Sequence, residues 1–123
     1  MRFVFLSSLL LLVACDSTGP TMRPGENCKS CHGFTAAGTV FPSAQAASSE
    51  GINGATVTIV DSNQKSVTMT SNSAGNFYTN DAIVWPATIT LTLGSRSATM
   101  PDAHDGACAS CHTTSGQGRI FLP

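Results

Sequence analysis

Polar and apolar residues alternate along most of this chain in short bursts with a period of two. In residues 55–60, Ala-Thr-Val-Thr-Ile-Val, Val57 and Ile59 fall on one side and Thr56 and Thr58 on the other, the pattern of a half-buried strand. Asp61-Ser62-Asn63-Gln64 supplies a turn, and Ser66-Val67-Thr68-Met69-Thr70 repeats the alternation as a return strand. Residues 72–76 turn again before Phe77-Tyr78-Thr79 opens another strand. Beyond a break at Pro86, residues 87–93 place Ile89, Leu91 and Leu93 on one face, Gly94-Ser95 turns the chain, and residues 96–100 run back. Residues 118–122 provide a closing edge strand. Short strands separated by turns roughly every ten residues predict a mainly β fold, a small antiparallel sandwich.

The N-terminus departs from this pattern. Arg2 is followed by an almost wholly apolar run over residues 3–13, shorter than the roughly 20 residues that a membrane-spanning helix needs. It reads as an export signal. Leu12-Val13-Ala14-Cys15 resembles the lipobox of bacterial lipoproteins, which implies cleavage after Ala14 and a lipid on Cys15; an ordinary signal peptide with an incidental cysteine is the alternative. The expected organisation is a signal peptide over 1–14 and a flexible lipid tether over 15–26, rich in Ser, Thr, Gly and Pro. A first cofactor-binding segment over 27–37, the β-sandwich over 38–100 and a second binding segment with the closing strand over 101–123 complete it.

Residues 37–41 (Ala-Gly-Thr-Val-Phe), 54–59 (Gly-Ala-Thr-Val-Thr-Ile) and 73–78 (Ser-Ala-Gly-Asn-Phe-Tyr) together resemble the carboxypeptidase-regulatory-like, or transthyretin-like, β-sandwich. The resemblance spans about half of the chain and implies an Ig-like architecture without chemistry of its own.

Chemistry enters with cysteine. There are five cysteines, an odd number for an exported protein if all form disulfides. Setting Cys15 aside for lipid leaves two C-x-x-C units, each followed at once by histidine: Cys28-Lys29-Ser30-Cys31-His32 and Cys108-Ala109-Ser110-Cys111-His112. Two thiols at this spacing can reach the two vinyl groups of one porphyrin, and the next residue carries an imidazole beneath the ring as proximal iron ligand. Two covalently bound haem c groups are therefore expected, with His32 and His112 on iron. Structural zinc on the same cysteines, local disulfides or redox-active thiols are the alternatives. Export weighs against zinc, because thiols oxidise there. A C-x-x-C disulfide closes too small a loop to restrain much of the unfolded chain.

A second axial ligand must come from a short inventory. His104 is the remaining histidine, and a position just upstream of the second motif suits it to the haem of the first; a solvent-exposed loop histidine is the alternative. Among methionines, Met22, Met69 and Met100 are options. Met69 sits in a strand and reads as core, while Met100, before Pro101 in the loop to the second motif, is the better candidate. With one spare histidine, both haems cannot be bis-histidine within one chain.

Charge excludes one class of partner. Only 11% of residues are charged and the formal net charge is −1, so no basic surface exists to neutralise phosphates and nucleic acid is not expected. Losing Arg2 from the six basic residues leaves five against seven acidic ones. The expected function is single-electron transfer in the bacterial cell envelope, between redox partner proteins, by a non-enzymatic lipoprotein anchored to the inner or outer membrane. It faces the periplasm or cell surface. The alternatives are a haem enzyme or gas sensor with an open axial position, and a non-redox surface lipoprotein with structural Cys and His sites.

Overall fold

The computed structural model describes residues 19–123; the expected signal segment and the expected lipidation position, Cys15, lie outside the described residues. The chain is mainly β, two sheets of three and four strands in a sandwich-like arrangement, with no α-helix among the described residues.

The larger sheet follows from the alternating segments. Strands β2 (Thr56–Val60), β3 (Ser66–Thr70), β5 (Ala87–Leu93) and β6 (Arg96–Ala103) lie in the order β3-β2-β5-β6, every neighbour antiparallel. Register puts Val57 opposite both Met69 and Leu91, and Ile59 opposite both Val67 and Ile89. Paired residues point to the same side of a sheet, so these side chains form one continuous apolar face. Val57 and Ile59 are fully buried. The outward threonines Thr68 and Thr88 stay in solvent.

The smaller sheet is built on β1 (Ala36–Phe41), with β4 (Asn76–Thr79) antiparallel on one edge and β7 (Ile120–Phe121) parallel on the other. An all-antiparallel sandwich was the expectation; the β1–β7 pair is the departure. It arises because the second cysteine motif intervenes between β6 and β7 and returns the chain alongside β1 in the same direction. A further parallel bridge, Ala37 to Ala107, joins the same edge. All six residues of β1 are buried, which no period-two pattern shows, since both faces of the strand are covered. Ala36 and Val40 enter the main core with Phe77 and Leu122. On the other side the Arg119 guanidinium lies 4.5 Å from the centre of the Phe41 ring.

Strands β1 to β6 run from Ala36 to Ala103, and β7 follows the second motif. The two cysteine motifs flank it: one immediately precedes β1, the other lies between β6 and β7.

Candidate cofactor sites

Both motifs fold into the same one-turn structure. Cys28–Ser30 and Cys108–Ser110 form short 3-10 turns, each closed by an amide of the histidine donating to the carbonyl of the first cysteine, 2.9 Å for His32 to Cys28 and 3.0 Å for His112 to Cys108. Ser30 and Ser110 occupy the same motif position, and each hydroxyl donates to the carbonyl three residues earlier, on Asn27 at 2.7 Å and Ala107 at 2.6 Å. The first thiol of each motif points to the carbonyl two residues upstream, 3.6 Å from Glu26 and from Gly106. Two copies of the pentapeptide thus carry one hydrogen-bond set. The four-residue step from first cysteine to histidine, closed as a turn, keeps the sulfur and the imidazole near one another.

Strand β1 holds the two turns together. The amide of Ala37 donates to Gly106 at 3.0 Å, and Gly38 sits against Cys108: a side-chain carbon added to Gly38 would lie 3.1 Å from the Cys108 Cβ and 2.7 Å from the Phe77 ring. From the first turn, the Lys29 ammonium reaches the Thr35 carbonyl at 3.4 Å. Burial pushes the Cys108 thiol up to about 11, with Asp105 and Cys28 adding to the rise. Burial, and secondarily Glu26, also raise Cys28. The first cysteines of the two motifs therefore lie within electrostatic reach of each other.

Each turn opens onto its own hollow. The first, of about 200 Å³, is lined by Cys28, Cys31 and His32 together with Met22, Phe34 and Tyr78. The second, of about 370 Å³, is lined by Cys108, Cys111 and His112, and its walls come from both sheets, Ile89 and Leu91 on one side and Phe77 and Ile120 on the other. Met100 and His104 line the second hollow as well. Met100 is opposite Ile89 in the register and so lies on the inner face of β6, where it remains 43% exposed.

The histidines are oriented differently. Nδ1 of His112 is 3.1 Å from the Gly118 carbonyl oxygen; a carbonyl can only accept, so the proton sits on Nδ1 and the Nε2 lone pair is available to a metal. His32 is placed by ring contact instead, stacked on Phe34 at 5.0 Å, which stacks on Tyr78 at 4.7 Å.

Cys28, Cys108 and Cys111 are free thiols. Cys31 differs, its sulfur being held in a disulfide, and forming a thioether there requires that bond to be opened first. Among the described residues, no three Cys, His, Asp or Glu side chains converge to hold a metal ion by themselves.

The sequence left His104 either as a ligand to the first motif's haem or as an exposed loop residue; it is exposed. The structure places it on the second hollow with Met100. Met69 is buried in β3 and belongs to the core. Two features escaped the sequence reading. Arg119 lines the second hollow, and its Nε is buried without a hydrogen-bond partner. Within the segment read from composition as a flexible tether, Pro20, Met22 and Gly25 hydrogen-bond to Asn72, Asn76, Thr39 and Arg119. No local pattern signals either feature, because they depend on contacts such as Asn76 to Met22 and Arg119 to Gly25, 54 and 94 residues apart.

Comparison of the chain with family models, curated proteins and solved structures found no match.

Proposed function

We propose that this chain is an exported dihaem c-type cytochrome that carries single electrons in the bacterial cell envelope, anchored through a lipid on Cys15, with a transthyretin-like β-sandwich as scaffold. The observation that carries the reading is the duplication: two C-x-S-C-H pentapeptides adopt one hydrogen-bonded turn, and each turn faces a separate, mostly apolar hollow. One motif alone would be weaker support than two folded alike.

The residues present fit a haem at each place. At the second site, the His112 tautomer leaves Nε2 for iron, and the hydrogen bond at Nδ1 fixes the ring plane and raises its basicity. Ile89, Leu91, Phe77 and Ile120 supply an apolar floor, and the unpartnered Arg119 Nε is a donor suited to a carboxylate such as a haem propionate. At the first site, Phe34 and Tyr78 supply aromatic walls. A porphyrin is larger than either hollow, so part of each ring would remain at the surface, where electrons can enter and leave. Haem, when bound, supplies a one-electron iron couple; the protein sets its potential, spacing and docking.

Attachment is redox-neutral. Each thiol would add its S–H across a vinyl C=C, giving one C–S and one C–H bond. Cys31 would first have to be released from its disulfide by a dithiol reductant, which becomes a disulfide while both cysteines of the opened bond become thiols, one for the vinyl group and one for acylation.

The competing uses of the cysteines fit less well. Thiol-disulfide oxidoreductases depend on a first cysteine with a depressed pKa, whereas burial raises both Cys28 and Cys108. A structural zinc would need four side chains brought to one point, and the two motifs face separate hollows.

The test is production of the full chain in a bacterium that matures c-type cytochromes, followed by a pyridine haemochrome assay and intact mass. Two haems per chain are expected. A mass equal to polypeptide plus acyl chains, with no Soret absorption, overturns the reading. A high-spin spectrum that binds carbon monoxide rapidly redirects it to a haem enzyme or sensor.

A further inference from the structure

We infer that Met22 would supply the second iron ligand at the first haem, with His32 as the first, on a segment held by a buried polar relay from Thr39 and Asn76. This rests on the cytochrome reading and deepens it. Neither spacing nor composition favours Met22, which lies in a Gly- and Pro-rich segment ahead of the motif.

The relay begins inside the smaller sheet. Thr39 of β1 and Asn76 of β4 are directly paired, and both are buried, 2% and 5% exposed. The Thr39 hydroxyl donates to the Asn76 side-chain oxygen at 2.7 Å. With its oxygen thus engaged, the Asn76 amide nitrogen points its hydrogens the other way, to the carbonyls of Met22 at 2.9 Å and Pro20 at 3.1 Å. Thr39 Oγ1 in turn accepts the Gly25 amide at 2.8 Å. Asn72 adds a second clamp on the Pro20 carbonyl at 2.6 Å, and the Arg119 guanidinium bonds the Gly25 carbonyl at 3.2 Å. Five hydrogen bonds from the sheet side therefore hold residues 20–25. A polar pair buried in a strand is costly unless satisfied, and these residues are satisfied by fastening this segment down.

The consequence lies at the hollow. Met22 is half-buried and lines it together with Cys28, Cys31 and His32. No other lining residue carries a thioether, and the Glu26 carboxylate is paired with the Arg23 guanidinium at 3.5 Å. Tyr78 is tied into the ring stack with Phe34 and His32. Asn76, which also lines the hollow, spends its side chain on the relay. Met69 is buried in the core, and Met100 and His104 line the other hollow. Among the residues that line this hollow, the thioether sulfur is that of Met22.

The experiment uses the full chain matured with haem. Met22→Leu keeps the volume and removes the sulfur; Met22→His restores a strong ligand of different chemistry. Haem per chain is measured first, and both variants are expected to hold two. In the ferric wild type, a long-wavelength sulfur-to-iron charge-transfer band is expected. Met22→Leu loses one haem's share of it, and that haem becomes high-spin and binds carbon monoxide. Met22→His also loses that share but stays low-spin, and one of the two reduction waves moves to lower potential. Asn76→Ala, which releases the segment without touching the sulfur, weakens the same share of the band. A Met22→Leu protein with two haems and the wild-type band overturns the assignment while leaving the cytochrome reading intact. A wild type with two haems and no sulfur band does the same. Wild type without covalent haem overturns the cytochrome reading and this assignment together.

Discussion

His112 and Gly118 are joined side chain to backbone: Nδ1 of the imidazole lies 3.1 Å from the Gly118 carbonyl oxygen, and Gly118 holds a φ of +81° to present it. Gly118 is also pressed against Ala44, where an added side-chain carbon would come within 3.0 Å of the Ala44 Cβ. Gly118→Ala is therefore expected to lower stability by about 1–2 kcal/mol through the left-handed backbone alone. It should also shift the midpoint potential of the second haem while leaving the first unchanged. Urea denaturation and a redox titration check the two parts; equal shifts in both haems would show that the contact is not specific to His112.

The two thiol pairs are expected to act independently in attachment. Cys108→Ser with Cys111→Ser should leave one haem per chain, as should Cys28→Ser with Cys31→Ser, and all four replacements together should leave none. Intact mass measures this directly. Unchanged haem in either double variant would remove that motif from the site.

Asp61 predicts a pH dependence. Burial on its own would raise its pKa, but backbone amides of Lys65, Val84 and Asn63, helped by the Lys65 charge, outweigh it and hold the carboxyl below its ordinary value. Its oxygens accept from Asn63 at 2.9 Å, Lys65 at 2.9 Å and Val84 at 3.2 Å, tying the β2–β3 turn to the strand-free segment before β5. A folded pKa below the unfolded one contributes stability that is present above about pH 4 and lost as pH falls through the folded value. Asp61→Asn should lower the denaturation midpoint at pH 7, and the gap from wild type should close in strongly acidic solution. A gap that stays constant with pH would contradict this account.

Thr39→Val removes the hydroxyl that joins β1, Asn76 and Gly25. Loss of hydrogen bonds at a buried site is expected to cost about 1–3 kcal/mol. The sharper readout is local: amide exchange at Gly25 should accelerate, while Val57 and Ile59, inside the β2 ladder, keep their protection. Uniform acceleration across the chain would indicate global destabilisation instead of release of residues 20–25.

Met69 provides the control for every methionine assignment. It is buried in β3, opposite Val57, and Met69→Leu conserves volume, with an expected cost below about 1.5 kcal/mol. The haem spectrum and both potentials should match wild type. Any loss of a sulfur band in this variant would require a rearranged core.

Much of the larger sheet was legible in the chain. Val57, Ile59, Val67 and Met69 alternate with threonine and serine, and Asp61 to Gln64 and Gly94-Ser95 mark the turns, so β2, β3, β5 and β6 follow from local order. The smaller sheet was less so. Residues 36–41 carry no alternation because β1 is covered on both faces, and the parallel partner β7 is two residues long.

By itself, the sequence determined what depends on neighbours within a few residues: period-two strands, their turns, and the pentapeptide that closes as one turn in two places. Tertiary structure decided everything that depends on which strands pair. Because β1 lies between β4 and β7, Thr39 meets Asn76, 37 residues away, and Asn76 holds the Met22 carbonyl at the hollow that His32 also lines. Because β6 is the outer strand of its sheet, Met100 and His104 line the hollow of the second motif and not that of the first. Contacts of this kind close long loops, and neither residue type nor spacing encodes where such loops meet.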